Sequence, residues 1–191
     1  AIAIQKNNPD IELEIFERSP LLKPVGAGLV LAANAIQAFD QIGIQEQVLA
    51  VSNILESISI KDQSGKKITK TDNFNINRDL KTISSFSVHR AVLHQVLLAQ
   101  IPTVPIYLNK RTIDFSKDAL GATIVFDDGS TTRSDFIIAA DGIHSVFREK
   151  LLPKSKIRYA GYTCWRGICD IQETNNEWAK SFNSKSATES W

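Results

Sequence analysis

Residues 135–151 constrain the fold of this chain more than any other stretch. The five small or apolar residues 136–140 run directly into Asp141 and Gly142, and a basic segment that can start a helix follows. This pattern predicts a buried parallel strand that breaks at its carboxyl end. In open α/β sheets nucleotides bind at the carboxyl ends of strands, where a glycine lets a ligand approach the backbone. The alternative interpretation is a plain turn built on Asp141 and Gly142.

Residues 11–17 also point to a nucleotide. They alternate apolar and acidic residues and end on Glu17, as the second strand of a dinucleotide-binding unit does when its last carboxylate accepts ribose hydroxyls. The glycine-rich turn of such a unit lies about 20 residues before this acid. Residues 1–8 are then expected to be the last turns of the intervening helix, ended before Pro9. The alternative is an exposed acidic strand end.

Two further segments contain residues suited to a phosphorylated ligand. Gly26 and Gly28 follow a proline and precede an apolar stretch, where glycines relieve crowding against a ligand or simply form a loop before a helix. Arg90 stands near the start of an amphipathic helix predicted over residues 88–100. A cation in the first turn opposes the helix dipole unless an anion lies between them, so a phosphate is expected there. A solvated arginine is the alternative.

The segments between these motifs predict ordinary secondary structure. Residues 34–43 predict a helix with an apolar core face, ended by Gly43. Residues 112–116, 122–126 and 131–133 predict an antiparallel meander with a turn at Asp128-Gly129. Residues 54–60 and the turn at 62–66 predict a second hairpin, and residues 69–81 a polar loop.

In these segments and their order the chain resembles the FAD-dependent aromatic hydroxylases, the para-hydroxybenzoate hydroxylase-like flavoprotein monooxygenases. The resemblance covers nearly the whole chain and rests on residues 16–18, 24–43, 89–93, 140–148 and 159–167. The last block looks like the start of the substrate domain in the salicylate- and urate-hydroxylase branch. The implied fold is α/β: a Rossmann-like FAD-binding domain of the glutathione-reductase type, with a β-meander insertion and part of a mixed-sheet substrate domain. The implied FAD-binding domain comprises residues 1–53 and 84–153, and the partial substrate domain residues 54–83 and 154–191.

The resemblance also implies a reaction and a set of site residues. Enzymes of this family use NAD(P)H and FAD to insert one atom of O₂ into a small, electron-rich or aromatic substrate through a flavin 4a-hydroperoxide, without a metal. The implied cofactor contacts are Glu17 and Arg18 at the adenosine ribose, Arg90 at the pyrophosphate, Asp141 and Gly142 at the phosphates and ribityl chain, and Gly26 and Gly28 near the flavin. Arg166 is the candidate catalytic residue, expected to stabilise a peroxide or orient a substrate oxygen. Its alternative role is a charge at a strand edge.

The sequence contains neither the family's glycine-rich turn nor its later Gly-Asp flavin motif. We therefore expect an inactive internal piece of a longer monooxygenase, which retains FAD weakly by itself. Two other classes stay open. A nicotinamide-dependent dehydrogenase would share the acid-ended strand but would not need the glycine block, Arg90 and the late Asp-Gly pair in this order. A non-catalytic flavin- or dinucleotide-binding protein, or a regulatory one, is the second class, because the resemblance implies that half of the active site lies outside this sequence.

Composition narrows the class of partner. With 22 basic and 21 acidic residues the formal net charge is +1, which implies no nucleic-acid or acidic-surface partner. No apolar run reaches the roughly 18 residues that span a bilayer, and no signal peptide is recognised. A cytoplasmic protein is therefore expected. Cys164 and Cys169 have the spacing of neither a redox pair nor a zinc site, and reduced thiols are expected.

Overall fold

The computed structural model describes residues 1–22, 26–164 and 186–190 of the 191-residue chain. Its helices, numbered in chain order, are Ile2–Asn7 (α1), Ala33–Gln41 (α2), Gln45–Ala50 (α3), Asn73–Leu80 (α4), Arg90–Ala99 (α5) and Val146–Leu151 (α6). Its strands are Ile15–Phe16 (β1), Gly28–Ala32 (β2), Ser52–Ile54 (β3), Ser57–Lys61 (β4), Lys67–Asp72 (β5), Ser85–His89 (β6), Ile106–Tyr107 (β7), Thr112–Asp118 (β8), Gly121–Phe126 (β9), Thr131–Ser134 (β10) and Ser186–Ser190 (β11). The predicted α/β class is confirmed.

The chain divides into two compact units. Unit 1 comprises Ala1–Ile11, Lys23–Pro102 and Trp165–Trp191, and unit 2 comprises Glu12–Leu22 and Thr103–Cys164. Each unit is thus built from segments that are separated in the sequence. These limits differ from those of the FAD-binding and substrate domains implied above, and that assignment stays a prediction.

A three-stranded sheet with the order β2-β6-β3 organises the core of unit 1. Ser87 separates Phe86 from Val88 along β6, so both apolar side chains point to one face of the sheet. Helices α2, α3 and α5 cover that face, and the buried cluster there consists of Ile36, Ile44, Val48, Phe86, Val88 and Leu93. Phe39 and Ile42 pack against the cluster, which confirms the core face predicted for residues 34–43.

The second sheet of unit 1 has the order β11-β4-β5. Strands β4 and β5 run antiparallel on either side of a turn in which Gly65 N–H donates to the Asp62 carbonyl at 2.9 Å. The predicted hairpin is confirmed, with β11 added in parallel to the other edge of β4.

The polar loop predicted at residues 69–81 is wrong, because β5 continues to Asp72 and α4 follows. The Asp72 carboxylate caps α4 by accepting a hydrogen bond from Asn75 N–H at 3.1 Å, which starts a helix in an otherwise loop-like sequence.

Unit 2 contains the meander β10-β9-β8 and the short parallel pair of β1 with β7. In the turn after β9, Phe126 N–H donates to the Ser130 carbonyl at 2.9 Å and Gly129 N–H to the Phe126 carbonyl at 3.0 Å. The predicted meander and its Asp-Gly turn are therefore confirmed. A second buried cluster lies between the meander and α6; it consists of Ile124, Phe126 and Phe147, with Phe16, Phe115 and Ile137 packed against it.

The buried parallel strand predicted at residues 136–140 is not present. These residues lie in no helix or strand, and Phe136 and Ile138 are 90% and 73% exposed. Of this segment, Ile137 packs against the second cluster. A strand requires a neighbour that satisfies its backbone N–H and C=O groups, and no strand in the described ranges pairs with these residues.

The β9–β10 turn carries a carboxylate whose ionisation is coupled to folding. Asp128 accepts hydrogen bonds from Lys110 Nζ and from the Ser130 hydroxyl, each at 2.6 Å. These donors, the lysine first, hold the pKa of Asp128 well below its ordinary value of 3.8. A carboxyl with a lowered pKa in the folded state stabilises the fold above its unfolded pKa. This contribution is therefore complete at neutral pH and is lost as the pH falls below about 4.

Asp128→Asn is expected to lower the free energy of unfolding at neutral pH and to flatten its decline in acid, because the substituted amide does not titrate. Urea unfolding measured from about pH 7 to about pH 3 would test this. Asp127→Asn is the matched control, since it removes one negative charge from the same turn but leaves the contact between Lys110 and Asp128. If the free energy of unfolding declined equally with falling pH in wild type and in Asp128→Asn, the prediction would be contradicted.

Candidate functional site

The first group of predicted site residues lies in unit 1, where β2 meets the start of α5. Gly28 is paired with His89 in the β2–β6 register. The N–H of Arg90 donates to the carbonyl of Ala27 at 3.3 Å. The backbone of residues 26–28 therefore lies directly against the beginning of α5. The structure brings together Gly26, Gly28 and Arg90, and we call this group the glycine–arginine junction.

Helix α5 begins two residues later than predicted. Val88 belongs to β6, His89 is the N-cap, and Arg90 is the first helical residue. The His89 side chain accepts a hydrogen bond from Ala91 N–H through Nδ1 at 3.2 Å, which is a structural role. Arg90 is exposed at the positive end of the helix dipole. A cation in this position is unfavourable by a few tenths to about 1 kcal/mol, and a bound anion would reverse the sign.

The two glycines of the junction have different surroundings. A Cβ on Gly26 would lie 2.9 Å from Cδ of Arg90, whereas a Cβ on Gly28 would meet no atom within 4 Å. The space beside Gly26 is thus filled by the Arg90 side chain. The space beside Gly28 is open and can accept a ligand.

The second group of predicted site residues lies in unit 2, at the end of β1. Glu17 is half-buried, and its N–H donates to the Tyr107 carbonyl at 2.9 Å. Its Oε1 accepts a hydrogen bond from Ser19 N–H at 2.8 Å. One such bond leaves a carboxylate with most of its acceptor capacity. Glu17 can therefore also accept hydrogen bonds from the hydroxyl groups of a ribose. Its neighbour Arg18 is exposed.

The third group is the turn before α6. Asp141 Oδ2 accepts a hydrogen bond from Val146 N–H at 3.0 Å, and Gly142 adopts φ of 83°. Ser145 Oγ accepts from Arg148 N–H at 3.1 Å and is the N-cap of α6. Asp141 therefore has a structural role at the helix start, and its contact with a ligand stays a prediction. Sequence reasoning assigned no role to Ser145, although a serine just before a helical segment is an N-cap signal.

The acids of the second and third groups are anchored on one core. Phe16 immediately precedes Glu17, and Ile137 and Phe147 flank the Asp141 turn; all three belong to or pack against the second cluster. Lys150 of α6 pairs with Asp114 of β8, and this hydrogen bond lowers the pKa of the Asp114 carboxyl. Helix α6 is thus tied to the meander by both apolar and charged contacts.

The Asp141 turn is followed along the chain by Arg148, which is half-buried. Nε of Arg148 is buried, and no residue in the described ranges accepts a hydrogen bond from it. Its Nε–H can donate to a buried water or to a polar ligand.

Two predictions fall on residues outside the described ranges. Arg166, the candidate catalytic residue, and Cys169 both lie there. Cys164 is described and is exposed. In the part of the chain that the structure describes, no three His, Cys, Asp or Glu side chains come together as metal ligands, and no helix is long and apolar enough to cross a membrane.

Comparison with known proteins gives several relatives but no matching family model. The chain is 31% identical over 163 residues to the aurachin C monooxygenase/isomerase of Stigmatella aurantiaca, covering 85% of the chain and 42% of that protein. It is 29% identical over 177 residues to an FAD-dependent urate hydroxylase of Klebsiella pneumoniae, covering 91% of the chain and 45% of that protein. The chain thus spans less than half the length of these curated relatives.

Solved structures support the same fold. The crystal structure of Klebsiella pneumoniae HpxO with FAD and uric acid superposes with a TM-score of 0.66 at 24% identity, covering 78% of this chain and 37% of that one. This likeness establishes a shared fold.

Proposed function

Since the homologues of this chain are FAD-dependent aromatic monooxygenases, we propose that it forms part of an FAD- and NAD(P)H-dependent monooxygenase. The proposed reaction inserts one oxygen atom of O₂ into a small aromatic or otherwise electron-rich molecule. The observation that carries the proposal is the glycine–arginine junction, in which an exposed arginine stands at a helix start beside the open space at Gly28. The cytoplasm is the proposed compartment.

The junction fits the diphosphate of FAD. A guanidinium presents several N–H donors in a planar fork that matches phosphate oxygens. The positive end of the α5 dipole adds to the attraction, because a negative charge is favourable near a helix N-terminus. Open space beside Gly28 would let the ligand run along the backbone without meeting a side chain. Arg90 is the proposed diphosphate ligand, and Gly26 and Gly28 are proposed to lie near the flavin.

The residues of unit 2 supply the other proposed cofactor contacts. Glu17, with Arg18 beside it, is assigned to the adenosine ribose, since its carboxylate is fixed at the end of a strand that has a parallel partner. Asp141 and Gly142 are assigned to the phosphates and the ribityl chain. A Rossmann-like FAD-binding domain of the glutathione-reductase type would place these residues around one ligand.

FAD, when bound, supplies the electron transfer from NAD(P)H to O₂ and the delivery of oxygen to the substrate. The proposed task of this chain is to bind and orient the cofactor. Arg90 would neutralise the diphosphate, and the Asp141 carboxylate would keep the Gly142 turn in place through its bond to Val146. Such positioning matters because a shift of about 1 Å at a reacting centre can cost about 100-fold in rate.

The proposal is tested with the full-length gene product in two steps. Flavin absorbance bands in the purified protein, retained on gel filtration, would support FAD binding, and their absence after reconstitution with FAD would reject it. A screen of aromatic substrates should then show substrate-stimulated NAD(P)H oxidation and one labelled oxygen atom from ¹⁸O₂ in the product. Bound flavin without substrate-stimulated oxidation would favour a non-catalytic flavin-binding protein. Hydride transfer without flavin or O₂ would favour a nicotinamide-dependent dehydrogenase.

Arg166 is proposed to act at the reaction centre. Arg166→Ala in the full-length protein is expected to leave NAD(P)H oxidation running while the product formed per NAD(P)H falls by about tenfold or more, the loss of one charge-assisted hydrogen bond. Product and NAD(P)H are quantified in the same reaction. Arg158→Ala is the control, because it removes an exposed arginine eight positions earlier. If Arg166→Ala formed as much product per NAD(P)H as wild type does, the residue would be removed from the proposed site.

A further inference from the structure

We propose that Gly26 is a positioning residue for Arg90, because the space left by its missing side chain holds the aliphatic stem of that arginine and thereby directs the guanidinium. This inference rests on the proposed function, in which Arg90 binds the FAD diphosphate. It gives Gly26 a different role from Gly28. Gly28 would leave room for the ligand, whereas Gly26 would leave room for the residue that binds the ligand.

The distances at Gly26 carry the inference. A Cβ added there would lie 2.9 Å from Cδ, 3.2 Å from Cβ and 3.4 Å from Cγ of Arg90. All three contacts are with a single side chain, and they follow its stem from the backbone outward. Contacts below about 3.4 Å between carbon atoms are repulsive, since the optimum lies at about 3.5–4.0 Å.

The conflict cannot be removed by rotating the end of the arginine side chain alone. Cβ of Arg90 is fixed by the backbone of α5, and that backbone is held by the bond from Arg90 N–H to the Ala27 carbonyl at 3.3 Å. A change of χ1 or χ2 moves Cδ of Arg90 away, whereas the 3.2 Å contact with its Cβ is relieved only by a shift of the backbone at Gly26 or Arg90. Either change moves the guanidinium away from its present direction.

The backbone of Gly26 reinforces this arrangement. Its φ of 135° lies in a region that residues with a Cβ rarely adopt. A substitution at Gly26 thus encounters both backbone strain and the arginine stem. The two effects are separable, because strain acts on folding while displacement of Arg90 acts on ligand affinity.

A double-mutant cycle for FAD affinity tests the inference in the full-length protein. Apo-protein is titrated with FAD for wild type, Gly26→Ala, Arg90→Ala and the double variant. Arg90→Ala is expected to weaken binding by about 10- to 100-fold and Gly26→Ala by about tenfold. The double variant should match Arg90→Ala within about twofold, because Gly26 has no arginine left to position.

Gly65→Ala is the matched control for backbone strain. Gly65 also has a positive φ, of 82°, lies in unit 1, and would present a Cβ to open space. Wild-type FAD affinity is expected for this variant. If Gly65→Ala weakened FAD binding as much as Gly26→Ala, general strain would explain the loss and the inference would be overturned.

The remaining outcomes separate this inference from the proposed function. If both single variants weaken binding and their factors multiply in the double variant, Gly26 acts independently of Arg90 and the inference alone fails. If Arg90→Ala binds FAD as wild type does, the diphosphate role of Arg90 fails, and the positioning role of Gly26 fails with it.

If Gly26→Ala does not fold, a crystal structure of the wild-type FAD complex tests the inference instead. The Arg90 stem is expected against Gly26 with its guanidinium at the diphosphate, and a flavin atom packed against Gly26 in place of that stem would overturn the inference.

Discussion

Phe86→Ala is expected to lower the free energy of unfolding by about 3–5 kcal/mol, the range for truncating a buried phenylalanine. Phe86 is 0% exposed and occupies the central strand of the β2-β6-β3 sheet. The substitution removes an aromatic ring from the cluster that joins this sheet to α2, α3 and α5. Domains commonly have a free energy of unfolding of only about 5–15 kcal/mol. The substitution is therefore expected to remove a large fraction of the stability. Urea unfolding followed by fluorescence and circular dichroism gives the value.

Val30→Ala is the control for this substitution. Val30 lies on the neighbouring strand β2 but is 52% exposed. Surface substitutions of this kind usually change stability by no more than about 0.5 kcal/mol. Equal losses for the two variants would show that the β6 face is not the centre of the core.

Arg90→Ala is expected to weaken FAD binding by about 10- to 100-fold, the equivalent of about 1.5–3 kcal/mol for a hydrogen bond to a charged group. The effect should come from the loss of both charge and fork geometry at the start of α5. Arg90→Lys is therefore expected to recover only part of the affinity, since an ammonium offers no planar fork to the diphosphate. Titration of apo-protein with FAD at two salt concentrations provides the measurement.

Arg78→Ala is the matched control for charge. Arg78 is in the same unit, its side chain is 65% exposed, and it pairs with Asp79 at 2.9 Å. Its removal takes away one positive charge without touching the junction, so wild-type FAD affinity is expected. Equal weakening by Arg78→Ala and Arg90→Ala would reduce the role of Arg90 to long-range attraction.

The elements that could be predicted from the sequence are those with strong local signals. The helix at α2 combines apolar residues at helical spacing with a glycine just beyond its end, and both signals are local. The meander alternates apolar and polar residues around an Asp-Gly turn, which is the strongest short-range hairpin signal. Neither element needs a distant partner to be recognised.

The elements that were mispredicted depend on partners far along the chain. Val88 fits the apolar face of a helix, but β2 and β3 both pair with β6 and hold it in a strand instead. Residues 136–140 have the composition of a buried strand, but no described strand offers them hydrogen bonds. Conversely, α4 is a local structure within a polar, Asn-rich sequence that is typical of a loop, although Asp72 supplies a capping signal at its start.

The sequence indicates the members of the glycine–arginine junction but not their arrangement. Gly26, Gly28 and Arg90 could be named from their motifs, but their contact depends on the antiparallel register of β2 and β6. The sequence also could not distinguish the two glycines, since the filled space beside Gly26 and the open space beside Gly28 exist only after folding. Asp141 was expected to face a ligand, and its bond to Val146 N–H had no counterpart in the prediction.

The pairing of β1 with β7 has a consequence for the order of folding during synthesis. The hydroxyl of Tyr107 donates to Glu14 across 93 positions of sequence, so the segment bearing Glu17 leaves the ribosome long before its neighbour exists. At about 5–20 residues per second, that segment waits for roughly 5 to 20 seconds. The sheet and helices that surround Phe86 have time to assemble in this interval, because their strands and helices are complete before β7 emerges. The acid assigned to the ribose is therefore fixed in place only after the strands of the β2-β6-β3 sheet have been synthesised.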